Sequence, residues 1–196
     1  IPERKQSDRH LAGRSTDGLW KSQRKSYLTG LPRYQIASFM KASFDLLRAT
    51  RRNVLGLTQS LSLEQLNHVP SPLRNNLAWN MGHLVVTQQL LCYRLSGLTL
   101  NIDEYLIFRY RNSTAQKIKI DAAELARIRH LLVELVDRTE RDWEAGRFVD
   151  YRPYETSYGV KLDGIEAAIR FNNLHAALHL GTCLSLRTQA RHAVSL

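Results

Sequence analysis

The segment FNNLHAALHLGTCLSL, from Phe171 to Leu186, is an apolar run that contains two histidines four residues apart. Its leucines and alanines recur at helical spacing, and it follows DGIE (163–166), a capping-box pattern that begins helices. We therefore predict a helix from residue 163 to about residue 188. In this helix His175 and His179 lie one turn apart on the same face, so both imidazoles can point at one place.

Three other segments carry one apolar stripe each at helical spacing. They run from about residue 34 to 61, from about residue 76 to 95, and from a capping box at 121–124 to Gly146. Four helices of this kind predict an all-α fold, a four-helix bundle. The connections at roughly 98–120 and 147–162 are rich in Tyr and Arg, and we expect these long aromatic-rich loops to cap one end of the bundle.

The positive charge of the chain is concentrated near residue 1. The net charge is +10 over 196 residues, and residues 1–33 hold eight of the 28 Lys and Arg but three of the 18 Asp and Glu. Because this segment has no apolar periodicity, we predict a flexible, disordered basic arm at 1–33 and one bundle domain at 34–190. A basic arm can touch nucleic acid or an anionic surface. We favour a solvated tail and expect no nucleic-acid partner.

The apolar runs and the cysteines indicate the cellular environment of the protein. No run reaches about 18 apolar residues, so we expect no membrane partner. Cys92 and Cys183 cannot form a disulfide framework, which predicts a reducing compartment, the cytoplasm. Cys183 is predicted to be a small core residue. Cys92 lies nine residues after His83 and is predicted to face the opposite side of their helix.

A third histidine, His83, lies in the second predicted helix, within NNLAWNMGHLVVTQQLLCYRLSG (75–97). Both histidine-bearing stripes also carry Asn and Thr, and burying such groups unpaired costs about 1–3 kcal/mol each. One metal site built from His83, His175 and His179 would account for them together. The alternative is that His83 is a core histidine bonded to a backbone carbonyl, and spacing alone leaves both interpretations open.

Three imidazoles leave coordination positions for water or substrate, as catalytic sites do. The divalent ions of Zn, Ni, Mn and Fe all accept such ligands. The turn after His175 reads HAALH and lacks the glutamate of HExxH proteases, so no catalytic residue is assigned. Six residues of the two loops are candidates for recognising a carboxylated substrate: Tyr105, Arg109, Tyr110, Arg111, Tyr154 and Tyr158. The alternative is that these residues only cap the end of the bundle.

The run at 75–97, followed by AIRFNNLHAALHLGTCLSL (168–186), resembles the DinB/YfiT-like superfamily. The resemblance covers about residues 34–190, and His83, His175 and His179 fall on the positions of the family's metal ligands. It implies a four-helix bundle with a divalent metal ion at one end, often a homodimer. Characterised relatives include bacillithiol S-transferases and a mycothiol-dependent maleylpyruvate isomerase, which implies a low-molecular-weight thiol as substrate.

Two classes of function stay open. The first is a metal-dependent enzyme, a thiol S-transferase or a hydrolase, in which the metal lowers the pKa of a bound thiol or water. The second is a non-catalytic, metal-stabilised bundle that acts as a binding or interaction module. In an enzyme we expect the metal to face a pocket of about a few hundred Å³ that reaches solvent. In a structural module we expect a fourth protein ligand to close the site.

Overall fold

The computed structural model describes residues 32–112, 114 and 119–193. Its helices are α1 (Arg33–Thr58), α2 (Leu63–Asn67), α3 (Leu77–Gln89), α4 (Glu104–Tyr110), α5 (Ala122–Glu144) and α6 (Ile165–Ala193). The strands β1 (Tyr154–Glu155) and β2 (Lys161–Leu162) form one short antiparallel hairpin. The all-α prediction is confirmed. The predicted arm falls almost wholly on residues outside the described ranges and stays a prediction.

The four long helices pack in a closed cycle, in which α1 and α3 each contact both α5 and α6. Helices α1 and α5 are antiparallel, because Phe44 packs against Trp143 while Arg129 donates to the carbonyl of Thr58. The apolar stripes face inward and form one core. No helix in the described ranges is long and apolar enough to cross a membrane.

Side-chain caps explain why the helices begin where they do. The Asn76 side chain accepts from the backbone N–H of Trp79 at 2.8 Å, and Asp121 accepts from that of Glu124 at 2.8 Å. Each cap satisfies an N–H group that the first helical turn leaves without a partner. The predicted starts of the second and third long helices therefore agree with the observed starts to within one residue.

The connections contain more structure than the periodicity predicted. Helix α2 forms within the first connector and begins with a reciprocal capping box between Ser62 and Gln65. Helix α4 forms within the second, where Asp103 caps it and Leu106 and Tyr110 are buried. The third connection contains the hairpin. Each of these elements is too short to show a helical or strand period in the sequence.

Beyond α3 the chain continues as one π-helical turn, Leu90–Arg94. A π-helical turn holds more residues than an α-helical one, so the residues after it are rotated relative to an uninterrupted α-helix. Cys92 Sγ consequently lies 3.6 Å from Asn172 Nδ2 on α6, the helix that His83 also faces. The prediction that Cys92 lies on the side opposite to His83 was wrong, because it assumed a continuous α-helix.

Candidate metal centre

The structure brings His83 of α3 together with His175 and His179 of α6. One ring nitrogen of each lies within 4.8 Å of the other two. The ring centroids are 5.1 Å apart for His83 and His175, 4.9 Å for His83 and His179, and 4.5 Å for His175 and His179. A shared metal ion would hold the nitrogens about 3–4 Å apart. The observed limit of 4.8 Å is somewhat wider than that spacing.

The three imidazoles are held in their neutral form. His83 and His175 are buried and His179 is half-buried. Burial, with the neighbouring imidazoles and Arg51 as further causes, lowers the pKa of His175 to about 2 and that of His179 to about 3. Burial also lowers the pKa of His83, against the opposing effect of a hydrogen bond. Neutral imidazoles have a free lone pair, which metal binding requires.

A backbone carbonyl fixes the tautomer of His83. Its Nδ1 donates to the carbonyl oxygen of Tyr110 at 2.7 Å, so its Nε2 carries the lone pair. The Tyr110 ring packs directly on Gly82, where a Cβ would approach the ring to 2.4–2.5 Å. A hydrogen bond to a backbone carbonyl was expected if His83 is a core histidine. Convergence with His175 and His179 was expected if the three histidines form a metal site. In the structure His83 has both features.

An asparagine fixes the tautomer of His179. The Nδ2 of Asn80 donates to the carbonyl of Asn76 at 2.7 Å, which orients the amide so that its Oδ1 faces α6. His179 Nδ1 donates to that oxygen at 2.7 Å, which leaves Nε2 with the lone pair. Such partners of a ligand's second ring nitrogen hold the ring at the angle that a metal requires. The sequence placed asparagines on this stripe, but it did not reveal the role of Asn80.

His175 differs from the other two histidines. Its Nδ1 is buried and has no hydrogen-bond partner within the described part of the chain. The ring lies against Phe171, with centroids 6.3 Å apart. Buried polar atoms are nearly always paired, so this nitrogen indicates a partner that the protein itself does not supply. A divalent metal fits the donor set of three neutral imidazoles, and among the described residues no fourth His, Cys, Asp or Glu joins the group.

Arg109 and Tyr110, two of the proposed recognition residues, have other roles in the structure. Arg109 pairs with Glu124 at 2.9 Å, and the buried Tyr110 donates its hydroxyl proton to the same carboxylate at 2.7 Å. Neither side chain is free to bind a substrate. Their contacts instead hold the end of α4, and with it the carbonyl that orients His83.

The remaining loop candidates are exposed or half-exposed. Tyr105 packs beside Arg109, and Arg111 lies over the ring of Phe108. Tyr154 lies in β1 and is exposed. Tyr158 lies in the turn of the hairpin, and its ring centroid is 6.1 Å from that of Phe171.

Because Phe171 also lies against His175, the hairpin turn reaches the surroundings of the cluster. Cys183 is fully buried in the core, as predicted, and is not part of the histidine group.

The sequence profile of the DinB superfamily matches residues 46–183. No curated protein sequence matches the chain. The matched range contains all three histidines of the cluster, together with Asn80 and Tyr110, which orient two of them. The match extends over more than half of the chain. The protein therefore belongs to the DinB superfamily.

Proposed function

We propose that the four long helices form a four-helix bundle and that His83, His175 and His179 bind one divalent metal ion. The observation that carries this proposal is the convergence of three neutral imidazoles, two of them with Nδ1 bonded so that Nε2 carries the lone pair. The Nε2 of His83 accepts from the hydroxyl of Thr87 at 3.3 Å, a contact that a bound ion would replace. The set of three nitrogen ligands is compatible with Zn, Ni, Mn and Fe. No carboxylate joins the described group, so ligand type does not favour one of these metals.

We propose further that the protein is a metal-dependent enzyme, a thiol S-transferase or a hydrolase. A bound divalent ion would supply Lewis acidity that lowers the pKa of a coordinated thiol or water. The three imidazoles would hold this ion, and two of them are buried while His179 is half-buried. The coordination positions that the described residues leave open favour this function over a closed structural site.

The buried cysteines support an external thiol as co-substrate. Burial raises the pKa of Cys92 and that of Cys183 to about 12, so neither is a thiolate at neutral pH. A reactive thiolate would therefore come from a low-molecular-weight thiol rather than from the chain. Both cysteines are free thiols, which agrees with a reducing compartment, and the cytoplasm stays our expectation.

The first test is elemental analysis of protein that was purified without a histidine tag. We expect about one divalent ion per chain in the wild type and in His130→Ala, which removes an exposed histidine of α5. His175→Ala should lose the ion. Absence of stoichiometric metal from the wild type, after incubation with each candidate ion, would contradict the metal site.

The second test separates the enzyme from the interaction module. Metal-loaded protein is incubated with bacillithiol, mycothiol or glutathione and a set of electrophiles, and the products are followed by mass spectrometry. Conversion that requires the metal and is lost in His175→Ala supports the transferase. Metal binding without conversion of any thiol or hydrolysable ester would favour the non-catalytic module.

We also propose that the protein is a homodimer formed through the outer faces of α1 and α6. These two helices pack side by side, and Asn173 donates to the carbonyl of Ser43 where they meet. Exposed apolar side chains lie on both helices: Phe39, Leu46, Leu174, Leu178 and Leu184. Light scattering should give the mass of two chains, and Leu178→Glu should yield monomers. A monomeric wild type would refute the dimer.

A further inference from the structure

Trp79 lies one helical turn before His83 on α3, and its indole covers one face of that imidazole. The two ring centroids are 4.4 Å apart, and the ring planes differ by 12°. Side chains at positions i and i+4 of a helix share a face and lean towards its N-terminus, so the imidazole lies back over the turn that carries the indole. The ring of Phe171, in comparison, lies 6.3 Å from that of His175 at 28°. The pair of Trp79 and His83 is therefore the closer stack of the two.

The indole is held in this position through both its ring and its backbone. It is buried, and its Nε1 donates to the hydroxyl of Thr114 at 3.1 Å. That hydroxyl lies within donating distance of two carbonyls, at 2.6 Å from that of Arg109 and at 2.7 Å from that of Arg111. The backbone N–H of Trp79 donates to the Asn76 side chain that caps α3. The indole is thus a fixed surface for the imidazole that packs on it.

The ring of His83 is consequently constrained in two independent ways. The hydrogen bond from its Nδ1 to the carbonyl of Tyr110 fixes one ring atom, but by itself it leaves the imidazole free to rock about the line that joins the two atoms. The indole against its face opposes that rocking. Because a metal ion binds along the lone pair of an imidazole nitrogen, the two contacts together fix the direction in which Nε2 can bind an ion.

Metal binding would strengthen the stacking contact. A divalent ion withdraws electron density from the imidazole that binds it, and an electron-poor ring is attracted more strongly to the electron-rich face of an indole. We propose that Trp79 is a positioning residue of the metal centre, which holds His83 in the orientation that binds the ion and stabilises its metal-bound form. This role rests on the proposed metal site. The ring centroid of His179 is 6.3 Å from that of Trp79, so the indole borders two of the three imidazoles.

Two substitutions at position 79 separate positioning from packing. Trp79→Phe keeps a flat aromatic face beside His83, whereas Trp79→Leu removes it. Trp143 is the matched control, because it is a half-buried tryptophan of α5 whose ring packs against Phe44 at 6.3 Å and whose Nε1 donates to Glu166 at 3.3 Å. Trp143→Leu therefore also removes an indole from the interior of the same domain, but at the interface of α1 and α5.

The measurement is the affinity for cobalt, by competition with a chelator, together with the visible cobalt spectrum and the melting temperature of each metal-free variant. Cobalt stoichiometry of the wild type is determined first and tests the metal site by itself. We expect Trp79→Leu to bind cobalt about tenfold more weakly, with an altered spectrum, and Trp79→Phe to lose about threefold or less. Trp143→Leu should keep the wild-type affinity and spectrum even if its melting temperature falls as far as that of Trp79→Leu.

An unchanged cobalt affinity and spectrum in Trp79→Leu would overturn the positioning role and leave the metal site intact. Equal losses of affinity in Trp79→Leu and Trp143→Leu would also overturn it, because they would show a general effect of destabilisation. The same holds if Trp79→Phe binds cobalt no better than Trp79→Leu. Absence of cobalt from the wild type would refute the metal site itself, and the positioning role with it.

Thr114→Val is the second variant if Trp79→Leu does not fold. It removes the hydroxyl that accepts from the indole N–H and leaves the rings of Trp79 and His83 in the chain. Its cobalt affinity should fall about threefold, since the indole would be held less firmly. An affinity equal to that of the wild type would overturn the positioning role.

Discussion

The interface between α1 and α5 and the interface between α3 and α6 both contain charged or polar residues, and within the described residues the two differ in how these groups are paired. At the first, Arg48 pairs with Asp137 and Glu140, and Arg129 donates to the carbonyl of Thr58. At the second, three neutral imidazoles converge and His175 keeps a buried nitrogen without a partner in the described residues. The same helical fold thus has one interface whose charged groups named here are paired among the described residues and one that a ligand would complete.

The paired residues of the α1–α5 interface stabilise the fold, whereas the residues of the α3–α6 interface are held in position by the fold. Ion pairs at the α1–α5 interface link two helices and contribute a modest amount to stability, about 1 kcal/mol or less for a partly exposed pair. Buried groups without partners cost stability, and proteins retain such groups where function requires them. The predictions below test whether the α3–α6 interface behaves as a site and the α1–α5 interface as a scaffold.

The largest expected effect is that of His179→Ala on metal binding. We expect stoichiometric metal to be lost while the helical circular-dichroism spectrum stays close to that of the wild type. The reason is that most of the stability comes from the four apolar stripes, and water can fill the polar space that the ring leaves. Elemental analysis and circular dichroism are the two measurements.

His130→Ala is the control for this variant, because it removes an exposed imidazole from α5. Unfolding of His179→Ala at room temperature would instead indicate a structural metal, whose binding energy is part of the folding energy.

The next effect is the pH dependence of the metal-free protein. The pKa of His175 is about 2 and that of His179 about 3 in the folded chain, against 6.5 for the unfolded one. Between pH 6.5 and pH 3 the unfolded state therefore binds more protons, and stability falls as the pH is lowered. Each histidine should contribute a slope of about 1.4 kcal/mol per pH unit.

Urea unfolding between pH 7 and pH 5 measures this slope. His175→Gln should reduce it, whereas Arg48→Met should not. A stability that does not change over this range would show that the imidazoles are not held neutral.

A smaller effect is expected from Gly82→Ala. The added methyl group would overlap the Tyr110 ring at 2.4–2.5 Å. Overpacking of this kind costs about 1–3 kcal/mol, and displacing Tyr110 should also weaken metal binding through its bond to His83. Thermal unfolding and metal titration measure the two effects.

Gly181→Ala on α6 is the matched control, because nothing lies within 4 Å of the position that its added methyl group would take. It should be neutral or stabilising by about 1 kcal/mol. Equal behaviour of the two variants would show that Tyr110 does not have to pack against Gly82.

The smallest effect is expected from removing residues 1–31. Both interfaces lie within residues 32–193, and the sequence gives the removed segment little to bury. The melting temperature and the metal content should therefore stay nearly unchanged. A drop of many degrees would show that this segment stabilises one of the two interfaces.

The sequence predicted the long helices and the histidine group better than the details around them. Helix α5 was predicted between 121 and Gly146 and is observed at Ala122–Glu144, because a capping residue and a glycine mark its ends. His83 could be grouped with His175 and His179 because all three lie on apolar stripes with other polar residues.

Other features have no signature that a single sequence reveals. The carbonyl of Tyr110 orients His83 through the backbone, which any residue could supply. Arg51 lies in the run RATRR (48–52), a composition typical of a solvated helix face, and only the packing of α1 against α5 and α6, with α3 across the core, buries it. The π-helical turn depends on backbone hydrogen bonds that apolar periodicity does not report.

That π-helical turn also bears on how the family can tolerate changes in length. Within the turn, Cys92 contacts Asn172 of α6, while the adjacent Tyr93 donates to Asp142 of α5 at 2.7 Å. An additional residue at this point widens one turn and leaves the preceding turns of α3, which carry His83, in their original register. During evolution, an insertion here would leave His83 in place, whereas the same insertion between Asn80 and His83 would rotate the imidazole away from α6.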